Sequence, residues 1–269
     1  MFVSVDGIPA FVADGGQAFD AAKPSVVFVH GAGMDHTVWG QQTRYLAHHG
    51  FNVLAVDLPG HGKTPGDPLP SIEDMADWLN RFVEAAGAAP AILIGHSMGT
   101  LVALEAAARK PEAARALVLC GSSAQMGVHP VLVQAAEENR ILAPELMSAW
   151  GHGPKAHRGG NIASGVWLIG GAVRLLERAR PGVIASELKT CAAYKGAVAA
   201  AERINVPVMI VSGRYDKMTP VKAAAPLAAV LADARIHVIE DAGHMMMLEA
   251  QQETRRVLYD FCRETTAAR

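Results

Sequence analysis

The chain has few of the features that would direct it to a membrane, a nucleic acid or an oxidising compartment. Nowhere in its 269 residues do about 18 uninterrupted apolar residues occur, the run a membrane-crossing helix needs, so no membrane insertion is expected. The opening MFVSVDGIPA lacks a basic start followed by a long apolar stretch, and a cytoplasmic location is the expectation. Cysteine is scarce: Cys120, Cys191 and Cys262 are odd in number and widely spaced. That pattern fits reduced, buried thiols better than a disulfide framework or a zinc site. Charged residues make up 19%, the formal net charge is −2 and no run of like charge stands out. An electrostatic footprint for nucleic acid or an anionic surface is therefore missing. Internal repeats and low-complexity tracts are absent too. What is abundant is apolar: 51% hydrophobic residues suffice for one substantial core and a smaller appended lobe. The expected partner is a small molecule, and the expected state a monomer or homodimer.

Short apolar, β-branched runs recur as FVSV at 2–5, VVFV at 26–29, VLAV at 53–56, AILI at 91–94, ALVL at 116–119, VMIV at 208–211 and IHVI at 236–239. Most lack polar alternation, as strands covered on both faces do. Helical stretches lie between them. Ser71 and Asp74 make a capping box ahead of Ile72, Met75, Leu79, Phe82 and Val83, which share one helical face. Thr219 and Pro220 read as the cap and first position of another helix, with Leu227, Val230 and Leu231 together. Strand–helix alternation predicts an α/β fold, a mostly parallel sheet between helical layers, with an antiparallel hairpin turning at Asp6-Gly7 on its N-terminal edge. Ligands of such sheets sit at the C-terminal ends of the strands.

The alternation breaks between about 122 and 204. Helix-like segments at 130–150, 166–180 and 183–203 surround the Gly-rich loop GHGPKAHRGGNIASG, and Val206-Pro207 restarts the strand pattern. An insertion of this size reads as a helical cap, residues 125–204, over a core formed by 1–124 and 205–269.

After AILI comes Gly95-His96-Ser97-Met98-Gly99, a G-x-S-x-G match. A serine on a strained strand-to-helix turn tolerates only small neighbours and projects its hydroxyl into the mouth of the sheet. The helix it starts offers the backbone N–H of Met98 to a developing oxyanion. A serine hydroxyl needs a base, and the base needs a carboxylate to orient it. Among 11 histidines, His244 alone follows the last strand by a short loop of small residues. His30 and His96 suit loop-shaping hydrogen bonds instead. Asp216, just past VMIV, meets the requirement for the carboxylate, whereas Asp241 stands too close to His244 in a tight loop to reach its far nitrogen.

Nucleophile, acid and base in the order Ser97, Asp216, His244, with the elbow on the fifth core strand, resemble the α/β-hydrolase family, its serine esterase and lipase-like branch with a helical cap. VFVHGAGMDHTVW resembles the family's His-Gly loop after its third strand, and VDLPGHGKT the loop after its fourth. The resemblance covers nearly the whole chain. It implies eight strands, a cap inserted between strands 6 and 7, and a second oxyanion donor from the His30-Gly31-Ala32-Gly33 loop, the N–H of Ala32.

The chemistry so expected is cleavage of a carboxylic ester of a small molecule through an acyl-enzyme. Carbon–carbon bond hydrolysis, lactone hydrolysis and cofactor-free perhydrolysis use the same three residues. Relatives that cleave carbon–carbon bonds typically carry asparagine before the serine and tryptophan after the histidine, where this chain has His96 and Met245. A ligand receptor that keeps the triad is the alternative of another class. A dinucleotide-binding reading of Gly31, Gly33 and Asp57 fails at the third glycine position, occupied by His36. Neither an organic cofactor nor a metal is expected. Candidate pocket residues are Gly31, Trp150, Trp167, Tyr194, Met218 and Met245, each with membership of the core as its plainer alternative. Lys155, His157 and Arg158 read as a solvated loop.

Overall fold

Each of the seven apolar runs is a strand in the computed structural model, which describes residues 1–161 and 165–267. The elements run β1 (Phe2–Val5), β2 (Ile8–Ala13), β3 (Ser25–Val29), α1 (Gly40–Ala47), β4 (Asn52–Val56), α2 (Ile72–Ala85), β5 (Ala91–His96), α3 (Met98–Arg109) and β6 (Ala114–Cys120). Next come α4 (Pro130–Glu137), α5 (Leu142–Gly151), α6 (Pro154–His157), α7 (Leu168–Leu176), α8 (Val183–Ala193) and α9 (Ala197–Ala201). The chain closes with β7 (Val208–Gly213), α10 (Ala225–Val230), β8 (Ala234–Ile239), α11 (Met246–Glu249) and α12 (Gln251–Ala267). One eight-stranded sheet has the order β1-β2-β4-β3-β5-β6-β7-β8. The β1–β2 and β2–β4 pairs are antiparallel and the others parallel. The fold class expected from the sequence is the one observed.

The hairpin turn has Asp6 at φ 53° and Gly7 at φ 82°, the paired left-handed conformation that matches strand twist. β3 shows why the central runs are continuously apolar: Val27 and Val29 join the core under one face, Val26 and Phe28 the core under the other. The first core holds α2 and α3, and Ser71 caps α2 by accepting from Asp74 N at 3.0 Å. Burial of its face, Ile72, Met75, Leu79, Phe82 and Val83, is worth about 1.5–3 kcal/mol per large side chain. The second core holds Leu46 of α1 and Leu258 and Phe261 of α12.

Helices α4 to α9 fill the interval between β6 and β7. Of the three helical stretches expected there, 130–150 is broken at Asn139 (φ 51°) and 183–203 between α8 and α9, while Gly182 (φ 85°) stands at the expected boundary before α8. α4, α5, α7 and α8 pack on one another, whereas α9 packs on α3 and α10 of the core. Ala197, Ala200 and Ala201 belong to the first core, so in packing the inserted layer ends before residue 204. Thr219 does not cap a helix as expected. A short 3-10 turn at Val221–Ala224 leads into α10, and the Thr219 hydroxyl is committed elsewhere.

Candidate active site

Ser97 sits between β5 and α3 with φ 52° and ψ −120°, a conformation that costs a non-glycine residue about 1–3 kcal/mol. Its neighbours show what holds it there. A Cβ on Gly95 would lie 2.1 Å from the carbonyl oxygen of Gly99, and a Cβ on Gly99 would lie 2.4 Å from that of Val29. The turn closes only because both positions are bare. Ser97 N donates to Cys120 O at 3.0 Å, tying the elbow to the end of β6.

Asp216 follows β7 and His244 follows β8, so both reach the same edge of the sheet as Ser97. His244 Nδ1 donates to Asp216 Oδ2 at 2.7 Å, with both side chains buried. Asp216 Oδ1 accepts from Met218 N and Thr219 N, each at 2.8 Å. The Thr219 hydroxyl donates to Oδ2 at 2.8 Å and lies 3.1 Å from His244 Nδ1. Burial alone would raise the Asp216 carboxyl. The imidazole of His244 and the Thr219 hydrogen bonds outweigh it and hold the carboxyl below its ordinary value.

Ser97 and His244 share the wall of one cavity of about 50 Å³, together with Ala32, Thr219 and Met218. Met34, Met126, Met147, Met245, Leu188, Cys191 and Val128 add apolar lining, and flexible thioethers let so narrow a space reshape. Met98 opens α3, and its amide, like that of Ala32, makes no hydrogen bond among the described residues. Such free amides beside a serine are what an oxyanion needs.

Two histidines of the elbow region hold backbone. His96, buried and pushed down to about 3 by desolvation and by His244, is neutral and donates from Nε2 to the His244 carbonyl at 3.0 Å. His30 donates from Nδ1 to Gly31 O at 2.9 Å and accepts from Leu58 N at 3.2 Å.

Four residues expected in the pocket are placed elsewhere. Trp167 is 70% exposed, on the outer surface of the inserted layer. The Tyr194 hydroxyl donates to Glu105 Oε2 at 2.5 Å within the first core, away from the cavity. Trp150 is half-buried against the ring of His129. Gly31 backs onto His96 and Ser97, where a Cβ would lie 3.0 Å from His96 Nδ1, and leaves the lining to Ala32. Aromatic size drew attention to these tryptophans and the tyrosine; the cavity is built from methionines. Lys155 pairs loosely with exposed Asp241 at 3.7 Å and His157 bonds Ala149 O at 2.9 Å. Part of that loop, 162–164, lies outside the described residues.

Sequence reasoning missed Thr219, read as a cap, and Glu249, whose carboxylate accepts from Gly243 N at 2.9 Å and Gly153 N at 2.7 Å. Glu249 thereby joins the His244 loop to the inserted layer. Its carboxyl, buried with amide donors but no cation, is raised above its ordinary value, burial outweighing the hydrogen bonds. Asp35, His36 and Asp57 form the one grouping of metal-ligand type among the described residues, and its lone pairs are engaged. Asp57 accepts from His36 N, His36 Nδ1 and Lys63 N, and Asp35 from Thr37 N and its hydroxyl. The cysteine thiols are all buried, that of Cys120 pushed up to about 12 by desolvation.

This fold, with its strained serine and the acid–imidazole pair at the strand ends, agrees with sequence comparison: the chain belongs to the alpha/beta hydrolase family, whose model matches residues 26–257. It is similar to the pimeloyl-(acyl-carrier protein) methyl ester esterase of Aromatoleum aromaticum, 29% identical over 254 residues, which cover 90% of this chain and 99% of that one. The protein of the same name from Chromobacterium violaceum is 30% identical over 253 residues, 87% of this chain and 92% of that one. Among solved structures, the enol-lactonase from Burkholderia xenovorans LB400 superposes with a TM-score of 0.85 at 22% identity, covering 98% of this chain and 100% of that one. At that identity the likeness speaks for the fold. No helix among the described residues is long and apolar enough to cross a membrane.

Proposed function

We propose that this protein is a serine hydrolase that cleaves carboxylic esters of small molecules through an acyl-enzyme, with Ser97 as nucleophile, His244 as general base and Asp216 as its orienting carboxylate. The observation that carries the reading is the 2.7 Å bond from His244 Nδ1 to buried Asp216 beside a positive-φ serine that lines the same cavity. With Nδ1 protonated and held by Asp216, Nε2 is left free to accept the Ser97 proton. The alkoxide attacks the ester carbonyl and the oxyanion is taken by the N–H groups of Met98 and Ala32. The alcohol then leaves with the proton from His244. Water, deprotonated by the same imidazole, attacks the acyl carbonyl and frees Ser97. Each oxyanion donor is worth about 2.7–4 kcal/mol of transition-state stabilisation in well-studied hydrolases.

The esterases named among the relatives support an ester over a carbon–carbon bond, and the methionine-lined cavity supports an apolar acyl group. The inserted layer from residue 125 through α8 serves as a cap that covers the site, docked to the His244 loop through Glu249. The test is a panel of p-nitrophenyl esters, lactones and vinylogous diketones, run on wild type and on Ser97→Ala. Turnover of the esters, lost by about four to six decades in Ser97→Ala, is expected. Ester hydrolysis at the wild-type rate by that variant would end the assignment.

A further inference from the structure

The inserted layer reaches the His30-Gly31-Ala32-Gly33 loop through one fully buried carboxylate. Glu187 lies on α8, whose Leu188 and Cys191 line the serine cavity. Its Oε2 accepts from Gly33 N at 2.6 Å, and its Oε1 lies 2.9 Å from His61 Nε2. His61 donates from Nδ1 to Pro59 O at 3.0 Å; burial pulls its pKa down, and the Glu187 carboxylate outweighs that and raises it. Glu187, Asp57 and the neutral ring of His30, 4.8 Å away centroid to centroid, are the groups that face it. α8 also abuts the loop sterically, since a Cβ on Gly33 would lie 2.7 Å from Ile184.

The consequence follows from peptide geometry. In a trans peptide the carbonyl and the N–H point opposite ways. The Gly31 carbonyl is held by His30 Nδ1 at 2.9 Å and Met34 N at 3.1 Å, which leaves the N–H of Ala32, anti to that carbonyl, pointing the opposite way. The next peptide ends at Gly33, whose φ of +69° is one that glycine enters and leaves freely. Its N–H has the Glu187 carboxylate as its partner. Without that acceptor the loop would lose the bond that anchors its second peptide to α8, and the Ala32 backbone would be freer to drift from Ser97. Resting on the serine-hydrolase reading above, we propose that Glu187 is a positioning residue: from the inserted layer it fixes the Ala32–Gly33 peptide, and with it the oxyanion donor, so that the docked α8 makes the hole competent.

The test compares Glu187→Gln, Glu187→Met and Glu187→Asp, with kinetics per active site titrated by a fluorophosphonate and with the affinity of a trifluoromethyl ketone that mimics the tetrahedral adduct. Gln keeps an acceptor within reach of Gly33 N and can donate its amide to a neutral His61. Met has the length without the acceptor, and Asp keeps the charge but withdraws it by one methylene. Glu187→Gln should hold kcat within about threefold, while Glu187→Met and Glu187→Asp lose about 10- to 100-fold in kcat and in ketone affinity with KM within about twofold. If one of the last two does not fold, the other carries the comparison. An ion pair that matters only for stability predicts the reverse order, Asp above Gln in Tm, with kcat per titrated site unchanged in all three. That result, or Glu187→Gln falling below a tenth of wild type, overturns the proposal. Ser97→Ala run alongside separates the two readings: if it keeps turnover, the nucleophile is wrong, and if it is dead while the Glu187 variants match wild type, only the positioning role fails.

Discussion

Asp216→Asn isolates what the buried carboxylate does, because the surrounding donors dictate how an amide must sit there. Met218 N and Thr219 N both donate to Oδ1, each at 2.8 Å. An asparagine would therefore turn its carbonyl oxygen toward those amides and place its NH2 where Oδ2 now meets His244 Nδ1 at 2.7 Å. An NH2 there can only donate, so Nδ1 becomes the acceptor and the imidazole proton moves to Nε2, the nitrogen needed to accept from Ser97. The base is then present in the wrong tautomer. Substitution of this kind costs about 10⁴ in kcat in the serine proteases, roughly 5.5 kcal/mol of barrier at 1.36 kcal/mol per decade. The assay is initial-rate hydrolysis of p-nitrophenyl acetate at pH 7, normalised to titrated active sites, with circular dichroism to show that the fold is retained. A loss of less than about tenfold would refute the orientation argument, since it would mean that His244 takes its working tautomer without the carboxylate.

The same carboxylate sets an acid limb on stability. Its folded pKa lies below 3.8, so its contribution is fully present above that value and is lost as pH falls through the lower folded one; the Tm difference between wild type and Asp216→Asn should shrink between pH 7 and pH 3. Gly99→Ala drives a Cβ to 2.4 Å from Val29 O and 2.7 Å from His30 O, backbone atoms that cannot step aside, and should lower kcat by about 100-fold through displacement of the elbow and lower stability by about 1–3 kcal/mol, read by kinetics and urea unfolding. Tyr194→Phe removes a buried hydrogen bond to Glu105 by a residue outside the cavity lining, so calorimetry should show stability lower by about 1.5–3 kcal/mol with kcat unchanged. Lys155→Ala with Arg158→Ala, exposed on α6 and just after it, should change activity on neutral esters by less than about threefold, as solvated charges do.

The strand runs, the hairpin at Asp6-Gly7 and the capped helix α2 were legible because each rests on local rules: period, turn chemistry and a side chain that reaches its own helix. Thr219 shows where such rules mislead. Threonine before proline is a good helix start, but its hydroxyl found Asp216 Oδ2 at 2.8 Å, and a hydrogen bond to a buried charge is worth more than one to a helix end. The helix expected over 130–150 broke at Asn139 because a residue with positive φ ends an α-helix whatever the hydrophobic pattern beyond it. The aromatic pocket failed for a different reason. Periodicity tells that Trp150, Trp167 and Tyr194 can be buried, not against what, and Glu105 of α3 claimed the tyrosine.

The residues that sequence reasoning could place at the strand ends are those whose position along the chain is itself the signal: Ser97 after β5, Asp216 after β7, His244 after β8. Those it could not place, Glu187 and Glu249, sit in helices with nothing in their neighbourhood to mark them, and reach amides 154 and 96 residues away. Both are carboxylates buried where an isolated charge would be costly, and each gives one oxygen to the backbone of a loop at the candidate site: Gly33 beside Ala32, and Gly243 beside His244. Burial at that cost is not needed to fill space, since leucine would do so without it. The physical account that remains is orientation: a carboxylate accepting from a loop amide fixes the peptide plane in a way no apolar side chain can. The strain at Ser97 argues similarly, because a positive-φ serine persists only where Gly95, Gly99 and the Cys120 carbonyl leave the backbone no easier course.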